Sequence, residues 1–201
     1  MKKSKEFLFK SSLIFALIFS IFLSSFSAFA RDCEEIRQNT LRLHVLAASD
    51  SEEDQNLKLM VRDKILEESG ELFLSAKSSE ECKKIAEENM ERFLSLARNV
   101  IEENGYDYKA SGEVVEMFFS NRTYDDVTLP AGRYTALRII IGEGKGKNWW
   151  CVLFPPLCIP SCTKTEESTE LLSPVTGGDA EIQVKLWIVE VFERIKEIFI
   201  G

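Results

Sequence analysis

This sequence predicts an α+β fold, with a mostly antiparallel sheet of about four strands covered by helices and a C-terminal amphipathic helix. Three observations lead there. Two stretches between residues 52 and 105 repeat apolar residues with helical period, and four stretches near 40–47, 112–120, 133–142 and 148–154 read as strands from their apolar patterning and β-prone residues. The helical stretches are grouped between the first strand and a run of three, so the last three can pair as antiparallel neighbours. The chain has 201 residues, 45% hydrophobic and 29% charged, which suits one domain with a core and excludes general disorder. Its formal net charge of −8 argues against a nucleic-acid partner. Five Cys cannot all pair within one chain and their spacing fits no common zinc pattern, so no disulfide scaffold, metal or cofactor is expected.

Taken in order, the elements begin with a charged segment containing Lys2, Lys3, Lys5 and Lys10, an apolar run over 13–23, and Ala28-Phe29-Ala30 before Arg31. That is the anatomy of a secretory signal peptide over 1–30, cleaved before Arg31. An uncleaved membrane anchor is the rival, although the strongly apolar run is short for a bilayer. A single domain follows over 31–158, opening on a polar lead. Leu41, Leu43 and Val45 then share one strand face, with Arg42, His44 and Leu46 on the other. A Ser or Asp before Glu52, Glu53 and Asp54 caps a helix, and Leu57, Met60, Val61 and Ile65 form its stripe, with Gly70 as a stop or kink. Ser79 caps a second helix carrying Cys82, Ala86, Phe93, Ala97 and Val100, which Asn104-Gly105 ends. Apolar residues on both faces of the strand around Val115 and Met117 fit a central position. The next strand carries Leu137, Ile139 and Ile141, and after the glycine turn 142–147 the chain returns over 149–154 as its hairpin partner. Residues 159–180 lack either period and read as a flexible linker. In the helix over 181–201, Val184, Ile188, Val191, Phe192, Ile195, Ile198 and Phe199 form a broad stripe expected to pack on the sheet. Leu186 and Val189 lie off it and are expected to remain free for a partner or for peripheral membrane contact.

Few residues offer chemistry. The GEGKGK turn lacks phosphate-loop spacing and joins strand to strand, which makes it a hairpin tip. His44, the only histidine, would have to meet Cys151 and Asp50 to form a base, thiol nucleophile and orienter, as in an extracytoplasmic thiol enzyme such as a cell-wall hydrolase. Without a local nucleophile signature, binding is the preferred reading and no catalytic residue is assigned. Cys151 and Cys158 either bridge locally or stay as thiols; the odd cysteine total leaves both open.

Two strings carry more information than pattern alone: LRLHVLAASDSEEDQNLKLMVRDKIL at 41–66 and LPAGRYTALRIIIGEGKGKNWWCVLFPPLC at 129–158. Both resemble the stage II sporulation protein R family of endospore-forming bacteria, with the WIVEVFERI string of the last helix extending the likeness. Ala48 departs from the Asn expected there. Arg42, His44, Ser49, Asp50, Arg62, Asp63, Trp149, Trp150, Cys151 and Cys158 are the motif residues, of unassigned role. The resemblance implies a non-enzymatic signal made in the forespore and secreted into the space between the forespore membranes. There it activates a membrane-embedded aspartic protease of the mother cell, stage II sporulation protein GA, which processes pro-sigma-E.

Overall fold

The computed structural model describes residues 2–158 and 166–200. The fold is α+β, as expected, with a four-stranded sheet ordered β2-β5-β1-β6. Strand β1 (Leu41–Leu46) is buried at all six positions and lies inside the sheet. It runs parallel to β5 (Gly132–Ile141) and antiparallel to β6 (Asn148–Phe154), while β2 (Ala110–Phe119) is antiparallel to β5. Two expectations therefore need correction: β5 and β6 are not hairpin partners, and β2 is an edge strand. The physical reason is the full burial of β1, whose backbone groups need a ladder on each side. The glycine turn crosses the exit of β1 to make room, with Lys145 N–H donating to Ala48 O (3.3 Å) and Gly146 N–H to Ala47 O (2.9 Å). A Cβ on Gly146 would lie 2.1 Å from Ser49 O, so only glycine permits this approach.

One sheet face, carrying Leu41, Leu43, Val45, Leu137, Ile139, Cys151 and Leu153, packs against three helices in the main core. The first, α2 (Glu52–Leu74), starts at the Ser51 cap, whose hydroxyl accepts from Asp54 N–H at 3.2 Å, and runs through Gly70. The second predicted helix is two: α3 (Ser79–Glu88), capped by Ser78 rather than Ser79, and α4 (Met90–Glu103). They break at Asn89, whose side-chain amide donates to Ile85 O, yet Cys82, Ala86, Phe93 and Ala97 keep facing the core across the break.

A second core covers part of the opposite sheet face and revises the domain boundaries. Helix α1 (Lys2–Gln38) is continuous through Ala30 and includes the segment read as a polar lead; Phe29, Cys33 and Ile36 are buried. Of the segment read as a signal peptide, Phe26 and Phe29 pack in this core, whereas Phe9 to Ile21 are exposed among the described residues. The linker reading fails over 166–175, where α5 (Glu166–Leu172) and a 3-10 turn (Ser173–Val175) place Leu172 and Val175 in the same core. Its part at 159–165 lies outside the described residues. Two short strands, β3 (Arg122–Tyr124) and β4 (Val127–Leu129), and helix α6 (Ala180–Ile200) complete this layer.

Candidate functional site

The ten motif residues fall in three places. Ser49 and Asp50 form a clasp between the β1–α2 and β5–β6 connections. Ser49 Oγ donates to Asp54 Oδ2 (2.5 Å), Asp50 Oδ1 accepts from Lys147 N–H (2.7 Å), and Lys58 Nζ donates to Lys147 O (3.1 Å). Both residues are thereby used in holding two loops in register.

Arg62, Asp63, Trp149, Cys151 and Cys158 line one groove between α2, α4 and β6, together with Glu71 of α2 and Arg92 of α4. The Arg62 guanidinium lies 4.2 Å from the centroid of the Trp149 ring and donates to Asp63 Oδ1 at 2.7 Å. Cys151 and Cys158 form a disulfide with a Cα–Cα distance of 6.0 Å, resolving the choice that the sequence leaves open. Arg42, His44 and Trp150 lie on the other sheet face. The Arg42 guanidinium sits 4.1 Å from the Phe119 ring centroid and 4.9 Å from that of Tyr134, and its Nη2 donates to Tyr124 Oη at 2.6 Å. His44 Nε2 lies 2.9 Å from Asn148 Oδ1. Burial holds the His44 imidazole below its ordinary pKa of 6.5, the Asn148 hydrogen bond opposes this, and the Arg138 and Arg42 charges lower it further.

A thiol enzyme would need His44 beside Cys151, and the register forbids it. Cys151 pairs with Leu43 and shares its core-facing side, whereas His44 pairs with Trp150 on the opposite side. Cys151 is bridged to Cys158, and Asp50 is engaged with Lys147. The three residues do not converge.

The orientation of α6 is the reverse of that expected. Leu186 and Val189 are buried in the second core, whereas Val184, Val191, Phe192, Ile195, Ile198 and Phe199 of the broad stripe are exposed together with Trp187, and Ile188 is half-buried. The helix has two apolar faces, and the narrow one docks because it can reach the core alongside Phe29, Cys33 and Ile36 of α1. Glu193, on the docked side, lies 3.5 Å from Arg37. The broad stripe faces outward.

A family model described as stage II sporulation protein R matches residues 37–164, nearly two thirds of the chain. The chain belongs to the stage II sporulation protein R family. A curated relative, the stage II sporulation protein R of Bacillus subtilis (strain 168), is 36% identical over 123 residues, covering 61% of this chain. The match spans 55% of that relative's length, and no solved structure matches. All ten motif residues lie within the family-matched segment, whereas α6 and most of α1 lie outside it. The clasp, groove and inner cluster therefore lie in the part of the chain that the stage II sporulation protein R model matches. Sequence reasoning missed α1 as part of the second core, although Phe26, Phe29, Cys33 and Ile36 repeat at helical spacing across the assigned cleavage point.

Proposed function

We propose that this family member is an exported sporulation signal that acts by binding. It is displayed between the forespore membranes and activates the membrane-embedded protease, stage II sporulation protein GA, toward pro-sigma-E. The observation that carries the binding surface is the exposed apolar stripe of α6, on a helix whose other apolar face is already buried. A protein partner fits this stripe better than lipid. Helix α6 runs parallel to α1, since Lys185 lies beside Phe29 and Glu193 beside Arg37. The exposed apolar part of α1, including Phe9, Phe15 and Leu23, thus extends beyond the N-terminal end of α6. With that part in a bilayer, the stripe from Val184 to Phe199 runs about 22 Å away from it, at about 1.5 Å per residue.

Phe26 and Phe29 pack within the second core, which supports retention of α1 as a tether over cleavage before Arg31. An 18-residue window within Phe9–Gln38 has the length and apolarity to cross a membrane, a property that a retained tether and a signal sequence share. The test is co-expression of the full chain with the protease and pro-sigma-E in a non-sporulating host. Processing that requires the chain supports the proposal, and processing indifferent to it refutes it.

A further inference from the structure

Among the described residues, five buried side-chain nitrogens have no hydrogen-bond partner: Arg42 Nε and Nη1, His44 Nδ1, Arg138 Nε and Trp150 Nε1. They are not scattered. His44 stands opposite Arg138 on β5 and opposite Trp150 on β6, and Arg42 is two residues from His44 on the same strand face. The Trp150 ring meets His44 at 6.2 Å and Phe119 at 5.1 Å, while Arg122 covers it at 4.6 Å.

The composition of this cluster is one-sided. Arg42 is fully buried, and its hydrogen-bonding partner is the neutral Tyr124 hydroxyl. Arg138 reaches Glu113 through Nη1 at 3.2 Å, at the partly exposed rim. Buried donors are normally satisfied, and a buried cation requires a counter-charge that water cannot supply. Aromatic faces attract the guanidinium but leave its in-plane N–H groups unbonded. An acidic chain that concentrates unpaired donors and guanidinium charge on one sheet face has the chemistry of an anion receptor.

The geometry points to an oxyanion-binding site in which Arg42 and Trp150 donate to a single carboxylate or phosphate group, with Arg138, held toward Glu113, at its rim. Entry is from the side of Arg138, Trp150 and the exposed Asn148, since Arg42 closes the inner end. A planar carboxylate suits the guanidinium edge, and a phosphate offers an additional acceptor to the indole N–H. This inference is independent of the partner surface on α6.

The experiment is a thermal melt of the full chain in acetate, in phosphate and in chloride at matched ionic strength, which removes general screening as a variable. An indole N–H NMR spectrum is recorded in each, with Trp150→Phe identifying the Trp150 resonance. The site predicts a saturable rise in melting temperature over chloride and a shift of that resonance. Arg42→Met and Trp150→Phe should each weaken apparent anion affinity at least about tenfold, because each removes donors to the anion. Arg98→Gln, at an exposed ion pair with Glu91, should leave it unchanged. A response to acetate alone identifies a carboxylate site, and a response to phosphate alone a phosphate site; either supports the inference. No response beyond chloride overturns it, as does a response retained in Trp150→Phe, which lacks the indole N–H donor.

Discussion

Replacing Leu186 by Ala tests which face of α6 is structural. Leu186 is 1% exposed, contacts the second core, and its carbonyl accepts from the Asn121 side-chain amide at 3.2 Å. Truncation leaves the backbone hydrogen bond in place and removes buried methyl groups, so the loss is transfer free energy plus a cavity, about 3 kcal/mol. For a domain of this size that is a fall in melting temperature of about 6–12 °C. The matched substitution Val184→Ala, at a side chain 59% exposed, should change stability by less than about 0.5 kcal/mol. Urea denaturation of both variants at constant m-value gives the comparison directly. Equal losses, or a larger loss at Val184, would refute the assignment of the buried face.

Three further outcomes follow. Replacing Cys151 and Cys158 together by Ser opens a short covalent loop against the main core and should cost about 2 kcal/mol, measured by denaturation with and without reductant on the wild type. His44 has a folded-state pKa below its unfolded value, so the unfolded chain binds the extra proton first; stability should fall as pH drops below about 6.5, and His44→Gln should flatten that slope. N-terminal sequencing of chain recovered from an exporting host should find the segment before Arg31 attached, and a homogeneous, stably folded product beginning at Arg31 would contradict the tether.

The fold class was legible because α2 and α4 turn one apolar side toward one core, and because the strand residues carry period two or fill both faces. The central place of β1 was not, since its parallel pairing with β5 joins residues more than ninety positions apart and leaves no local sign. Helix α6 was misread for a different reason. Periodicity reports how wide an apolar face is, not which face another element covers, and Leu186 and Val189 form the narrower one. The tract 166–175 has a linker's composition, but Leu172 and Val175 are buried in the second core with Leu171 packed beside them. The alternation of β1 placed Arg42 and His44 opposite the main core; nothing local showed that α1, α6 and the β3–β4 pair would build a second layer there.

Whether the exposed stripe of α6 engages the protease is decided by one variant in the co-expression assay. Trp187, Val191 and Ile195 are changed together to Ser, all being exposed and outside both cores. If the stripe docks the protease, the melting temperature is unchanged and pro-sigma-E processing is lost. Full processing by the folded triple variant would contradict it.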